Sequence, residues 1–404
     1  MTKRHYTPPR VSLLLGDCLD RMREMPAASV DAVVTDPPYG LKFMGKKWDA
    51  AVPGVEVWAE ALRVLKPGGH LLAFFGTRTY HRGVVAIEDA GFDVRDMILW
   101  LYGQGFPKSR DVSKTIDKEA GEPRDVIGKY HLPNGHEWDL KNDKVGGGLG
   151  APAGLRSTSL NITAPATAAA KEWDGWGTAL KPACEIICLA RKPLAEKTVA
   201  RNVLKHRTGG LNIKGCRIPG EPIPGIKLWP TKNPGRSNID MGSGARTGNM
   251  LNLGRWPANV VHDGSDEVIA GFPDVKAGTA VRKNRGGNTF GGTKPKPPMD
   301  DMGFADSGSA SRFFYTAKVS PKERGPGNDH CTVKPISLMQ WLCRLVTPPG
   351  GLILDPFLGS GTTGIAALRE GFSIIGIEID PHYLDIARAR IAGDSPLFNK
   401  PGSE

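Results

Sequence analysis

Cysteine is scarce in this sequence. Six are scattered through 404 residues (Cys18, Cys184, Cys188, Cys216, Cys331 and Cys343), with no Cys-x-x-Cys pair among them. That is too few for a disulfide scaffold and suits a reducing cytoplasm. A zinc module drawn from Cys184, Cys188, Cys216, His262 or Cys331 lacks paired-ligand spacing. Cys184-x-x-x-Cys188 in an apolar strand turns both thiols to one buried face, so no metal site is expected. Long apolar runs are missing as well: none approaches the roughly 18 residues of a membrane span. Met1 to Pro9 contains no apolar signal core, which predicts that the chain is not exported. Acidic residues are in deficit, 42 against 53 Lys and Arg, for a formal charge of +11 that favours a polyanionic partner.

What is present falls into three stretches. From Arg10 to Gly103 short apolar runs alternate with helical segments. Strands are predicted at Val11–Leu15, Val30–Thr35, Leu71–Phe75 and Met97–Leu101, with helices at Asp20–Met25 and Glu56–Leu65, the latter stopped by Lys66-Pro67-Gly68-Gly69. From Gln104 to about Asp329 the rhythm largely stops, interrupted by one clear strand, Ala183–Ala190. From His330 to Ile391 it returns, with a helix over Pro335–Val346, a strand at Leu352–Asp355, a glycine-rich turn into a helix, and a strand from Ser373 to Asp380 before a final helix. The first and third stretches each read as half of one doubly wound α/β sheet with helices on both faces. Residues 1–196 then form the first part of that domain, with a loop-rich insertion at 104–175, and residues 330–404 the second. Between them, Lys197 to His330 carries 21 Lys and Arg against 11 Asp and Glu, nearly all of the net charge, with Trp229 and Trp256 interleaved. Residues 197–329 therefore read as a nucleic-acid-facing region.

Three groups of residues carry chemistry. The first is Asp355-Pro356-Phe357-Leu358-Gly359-Ser360-Gly361-Thr362-Thr363-Gly364, between a strand and a helix. Its glycines permit positive φ and let a ligand approach the backbone beside a helix N-terminus. No Gly-Lys-Ser/Thr follows, so it is not a P-loop. Glu378, seventeen residues after Gly361 near the end of the next strand, can take both hydroxyls of a ribose. A dinucleotide and an adenosyl nucleoside both remain open. The second is Asp36-Pro37-Pro38-Tyr39, ending a buried strand. An exocyclic base amine is a poor nucleophile because its lone pair is delocalised into the ring. Asp36 can accept one N–H and a rigid proline carbonyl the other, which aims the lone pair, while Tyr39 offers a face for an extruded base. The third comprises Gly16-Asp17-Cys18-Leu19 and His330-Cys331-Thr332-Val333-Lys334-Pro335. Asp17 can accept from an adenine amino group, and Thr332 and Lys334 can hold a carboxylate.

Taken together these three sets resemble the DNA amino-methyltransferases that use S-adenosylmethionine. Their order, Asp-Pro-Pro-Tyr first and Phe-x-Gly-x-Gly last with a recognition region between, is similar to the permuted β group. Trp176-Gly177-Thr178-Ala179-Leu180-Lys181-Pro182 and Gly105-Phe106-Pro107-Lys108-Ser109 resemble solitary phage and prophage enzymes. The resemblance implies a Rossmann-like methyltransferase sheet, double-stranded DNA as partner, base flipping, and a homodimer. It implies that Asp36, Pro37, Pro38 and Tyr39 hold the target base. Phe357, Gly359 and Gly361 would wrap the methionine part of the cofactor, with Asp355, Ser360 and Thr362 in the same loop. Glu378 would bind the ribose, Asp17 the adenine amino group beside Cys18, and Thr332 with Lys334, ahead of Pro335, the amino-acid end. The strand ending in Glu378 would then be followed in the sheet by the strand ending at Asp17. Within the family, Asp at the first motif position goes mainly with adenine N6 and Ser with cytosine N4, so Asp36 points to adenine. Cytosine N4 and a catalytically inactive DNA-binding relative are the rival readings. A C5-cytosine enzyme is excluded, since Pro182-Ala183-Cys184 is not the Pro-Cys pair its nucleophile requires.

Overall fold

Val30–Thr35 (β2) is buried at every position. A strand with no solvent side belongs inside a sheet covered on both faces, and that is its place in the computed structural model, which describes residues 10–41, 49, 51–103, 105, 109–129, 161–219, 254–276, 307–317, 321–330 and 332–394. The chain begins with β1 (Val11–Leu15) and α1 (Cys18–Arg23). After β2 come α2 (Val55–Val64), β3 (Leu65–Phe75), α3 (Tyr80–Asp89), β4 (Asp93–Leu101) and α4 (Val112–Ala120). Next are β5 (Val126–Lys129), β6 (Asn161–Thr163), α5 (Ala168–Glu172), β7 (Cys184–Arg191) and α6 (Val199–His206). The basic stretch adds β8 (Val260–His262), α7 (Asp266–Ala270), β9 (Asp274–Lys276), β10 (Ser307–Ser309) and β11 (Tyr315–Thr316). The last part is α8 (Ile336–Val346), β12 (Leu352–Asp355), α9 (Thr362–Arg369), β13 (Ser373–Glu378) and α10 (Pro381–Asp394).

Nine strands form one sheet in the order β1-β13-β12-β2-β3-β7-β4-β8-β11. Every neighbouring pair is parallel except the two made by β7, which runs antiparallel between β3 and β4. The doubly wound α/β sheet expected from the sequence is therefore the fold, and its two halves interleave, with β12 paired to both β13 and β2. The expected adjacency of the strand ending in Glu378 and the strand before Asp17 is present, with Leu15 opposite Glu378. The stretch 197–329 supplies β8 and β11 to the edge of this same sheet, so its described parts continue the sheet.

Strand alternation divides the core. Val34, Leu72 and Phe74 pack on one face with Leu338, Trp341 and Leu342 of α8 and Ala366 and Ala367 of α9. Val33, Leu71, Ala73 and Phe75 pack on the other with Met22 of α1, Trp58 and Ala61 of α2, and Ile87 of α3. Burial of such a side chain stabilises the fold by about 1.5–3 kcal/mol, so both helical layers are held by the same few strands. At the opposite end from the site, Asp31 accepts from Lys66 Nζ at 2.6 Å and from Leu352 N at 2.8 Å, tying β2 to β3 and β12.

Two local boundaries differ from the sequence reading. The first helix starts at Cys18 rather than Asp20, because the Asp17 carboxylate caps it by accepting from Leu19 N and Asp20 N. Lys66-Pro67-Gly68-Gly69 lies inside β3 rather than ahead of it: α2 ends at Val64 and the strand follows at once, irregular in register between Val30 and Ala32. A Cβ at Gly69 would fall 2.2 Å from Leu65 Cδ2 and 3.0 Å from the Asp31 carbonyl, which is why that bulge takes glycine.

Candidate functional site

Strands wind outward in opposite directions from the junction of β12 and β2, the place where open α/β sheets bind ligands at their C-terminal strand ends. Thr35 Oγ1 donates to Asp355 Oδ1 across that junction at 2.6 Å, in full burial. This bond draws together the two loops singled out in the sequence. Asp355 also accepts from Phe357 N at 3.1 Å. Burial pushes its carboxyl up to about 6, against the opposing pull of the Thr35 and Thr363 hydroxyls and the Phe357 N–H.

The glycine loop is built as a cradle. Gly359 and Gly361 have φ of +55° and +83°, a region that disfavours any Cβ. A Cβ on Gly359 would lie 3.0 Å from His330 Nε2, and one on Gly361 would lie 2.9 Å from Ala387 Cβ. The loop is pinned from below by Glu378, whose two oxygens accept from Gly359 N at 2.8 Å and Asp380 N at 2.9 Å. Burial raises the Glu378 carboxyl, and those N–H bonds oppose it. From α10, Arg390 donates to the Ser360 carbonyl at 2.5 Å, to Ser360 Oγ at 2.9 Å and to Thr362 Oγ1 at 3.2 Å. Asp17 stands at the neighbouring strand end, where Gly16 N donates to the Glu378 carbonyl. The adjacent Cys18 thiol is pushed up to about 12 by burial and by Asp17, so it is no nucleophile.

The Asp36 loop carries a closed charge cluster. Lys334 Nζ donates to Asp36 Oδ2 at 2.6 Å and to Tyr39 Oη at 3.2 Å, and lies 3.2 Å from Glu185 Oε2. The Tyr39 hydroxyl lies 2.8 Å from Asp36 Oδ1 and 3.1 Å from Glu185 Oε2. The Tyr39 ring is held in place by its own carbonyl, which accepts from Thr79 Oγ1 at 2.7 Å, and by Gly76, where an added Cβ would sit 3.1 Å from Cδ2. The ammonium of Lys334 also faces the Tyr39 and Phe74 rings, 5.4 and 5.0 Å from their centroids. Burial pulls the Lys334 ammonium down, but Asp36 and Glu185 outweigh it and the group ends raised, fully charged at any working pH. Burial and the two carboxylates together hold the Tyr39 phenol well above its ordinary value, so it is a neutral donor.

Most of the sequence-derived residues meet at this one end of the sheet: Asp36 and Tyr39, the loop from Asp355 to Thr362, Glu378, Asp17 and Cys18. Lys334 arrives in a different position from the one expected. It faces Asp36 and Glu185 because α8 packs Leu338 and Met339 against the β2–β3 face, which brings the residue before the buried Pro335 over the end of β2. Thr332 is exposed, its carbonyl 2.7 Å from His330 Nδ1. Cys331 lies outside the described residues. Glu185, His330 and Arg390 were not singled out from sequence. For Glu185 a signal existed, a lone carboxylate in the apolar run Cys184–Ala190; for Arg390 there was none.

The sequence profile of the DNA methylase family, N6/N4 type, matches residues 30–138 and 256–389, more than half of the chain. The type II methyltransferase M2.DpnII of Streptococcus pneumoniae is 36% identical over 96 residues, 24% of this chain and 36% of that protein. M2.LlaDCHI of Lactococcus lactis subsp. cremoris is 35% identical over 86 residues, 21% of this chain and 32% of its own length, so the chain spans about a third of the curated relatives it matches. Among solved structures, the DNA modification methylase TTHA0409 of Thermus thermophilus aligns over 96% of each chain at 17% identity, with a TM-score of 0.41. The matched segments contain the Asp36 loop, the glycine loop and Glu378, and on that match the chain belongs to the N6/N4 DNA methylase family.

Proposed function

We propose that this chain transfers the methyl group of S-adenosylmethionine to the exocyclic N6 amine of an adenine flipped out of duplex DNA. The observation that carries the reading is the meeting of Asp36-Pro37-Pro38-Tyr39 with the Gly359–Gly361 loop at one strand junction, tied by the Thr35–Asp355 hydrogen bond. The residues present fit the cofactor. The glycine loop offers backbone free of Cβ atoms, and each Glu378 oxygen keeps a lone pair after accepting its N–H. Glu378 would hold the ribose, Asp17 the adenine amino group, and Phe357, Ser360 and Thr362 the remainder alongside Thr332. When bound, S-adenosylmethionine supplies a methyl group on a sulfonium, open to in-line displacement.

The chain's own part is positioning and electrostatics. The Asp36 carboxylate accepts one N–H of the target amine and the Pro37 carbonyl the other, and the Tyr39 ring carries the base. Charge that develops on the amine is met by a cluster of two carboxylates, Asp36 and Glu185, against one ammonium, Lys334. No base is needed before attack, because the methylated amine sheds its proton afterwards. Adenine rests on Asp at the first motif position, and the β-group order rests on β1 following β13 in the sheet. DNA binding by residues 197–329 rests on their charge, and we extend the proposal to a homodimer. Tritiated methyl transfer to unmethylated genomic DNA, followed by digestion and mass identification of the nucleoside, should yield N6-methyladenine. N4-methylcytosine would replace the base while keeping the amine chemistry, and DNA binding without incorporation would overturn catalysis. Light scattering at micromolar concentration should give twice the chain mass, and a monomer would end the dimer proposal.

A further inference from the structure

Both oxygens of Asp36 already have donors: Lys334 on Oδ2 at 2.6 Å and the Tyr39 hydroxyl on Oδ1 at 2.8 Å. An incoming amine must displace one of them. Each donor has the same second acceptor within reach, Glu185 Oε2, at 3.2 Å from Lys334 and 3.1 Å from Tyr39. A phenol has one proton, so its two carboxylate contacts are alternative destinations. The three N–H groups of Lys334 are matched by Asp36, Glu185 and the Tyr39 oxygen. An ammonium this buried, turned away from Asp36 with no other carboxylate beside it, would be strongly disfavoured.

We infer that Glu185 is a positioning residue for the target amine: it takes over Lys334 and the Tyr39 hydroxyl when the base amine binds Asp36. This rests on the reading of Asp36 as the amine acceptor. The fold explains how Glu185 reaches the site. β7 runs antiparallel, so its first residues lie at the same end of the sheet as the last residues of the parallel strands, and β3 and β4 fix its backbone from both sides. The exchange breaks no covalent bond and moves no proton between heavy atoms. It converts a closed ion pair into an open acceptor, with the positive charge kept in the cluster.

The test is single-turnover methyl transfer with saturating DNA, together with calorimetric binding of S-adenosylmethionine, for wild type, Glu185→Gln and the double variant Glu185→Gln/Lys334→Gln. Glu185→Gln keeps the side-chain shape and a neutral Asp36–Lys334 pair, so it should fold with an unchanged melting temperature. Its rate should drop by about tenfold or more, because Lys334 is now locked on Asp36, while cofactor affinity stays within about twofold. The double variant removes the competitor for Asp36 and should be faster than Glu185→Gln alone. A Glu185→Gln enzyme at the wild-type rate, a double variant no faster than the single, or a loss of cofactor affinity equal to the loss of rate would each overturn the inference. An inactive wild type removes the reading beneath it instead.

Discussion

Lys334 Nζ lies 2.6 Å from Asp36 Oδ2 across 298 residues of sequence, and the lysine side chain is only 7% exposed. The Asp-Pro-Pro-Tyr loop of the free protein is thus half of a buried ion pair, set against the floor of the glycine loop by the Thr35–Asp355 bond. Five consequences can be measured.

Asp36→Ala should abolish methyl transfer while cofactor and DNA binding survive. A charge-assisted hydrogen bond contributes about 1.5–3 kcal/mol, and more in a preorganised transition state, so a loss well beyond tenfold is expected. Glu185 still neutralises Lys334 in this variant, so the melting temperature should fall only modestly. Tritiated transfer near the wild-type rate would mean that the loop is only a turn.

Tyr39→Ala removes both ring and hydroxyl and should be slower than Tyr39→Phe, which keeps the stacking face. The hydroxyl has a role of its own, since it sits between Asp36 and Glu185. Tyr39→Phe should therefore fall between wild type and Tyr39→Ala in kcat, and equal rates for Phe and Ala would count against stacking.

Burial raises the Glu185 carboxyl, Lys334 opposes that and Asp36 adds to it. Tyr39 and Tyr102 are the other titratable side chains facing it, with Cys184 next along the strand. A raised carboxyl stays neutral at pH values where an ordinary glutamate is ionised, and a neutral Glu185 cannot receive an ammonium. Activity should thus be lost as pH falls through a limb above the usual glutamate range. Lys334→Gln removes the downward pull and should move that limb to higher pH. Profiles of kcat/KM against pH for the two proteins decide it, and coincident limbs would reject the link.

Gly361→Ala should lower stability by about 1–3 kcal/mol in chemical denaturation, because φ is +83° and the new methyl would meet Ala387. Gly359→Val acts on binding. Its Cβ would press on His330 Nε2 at 3.0 Å and disturb the N–H bond to Glu378, so calorimetry should show cofactor affinity reduced by about tenfold or more. Unchanged affinity in Gly359→Val would remove this loop from the cofactor site.

DNA affinity should fall steeply with salt if residues 197–329 contact phosphates, since each neutralised phosphate releases counterion. In the described part, Arg217 lies 5.2 Å over the exposed Trp256 ring, a cation beside an aromatic face as nucleic acid binders use. A salt-independent dissociation constant in a titration series would reject a phosphate-led interface.

The sequence by itself determined whatever depends on neighbours along the chain. Val30–Thr35 reads as a central strand because its side chains are mostly apolar and β-branched, and every one of them is buried. Pro37 and Pro38 stiffen the loop after it, and Gly359 and Gly361 allow the positive φ that turns β12 into α9. These are local torsional and periodic properties, and they made the doubly wound fold and both loops legible. Tertiary structure alone decided the partners of Lys334. Its charge is set by Coulomb attraction and desolvation, which depend on distance in space, and that distance follows from α8 packing on the β2–β3 face. The same holds for Glu185, which reaches the site only because β7 is antiparallel, and for Arg390 and His330, which α10 and the loop before α8 bring onto the glycine turn.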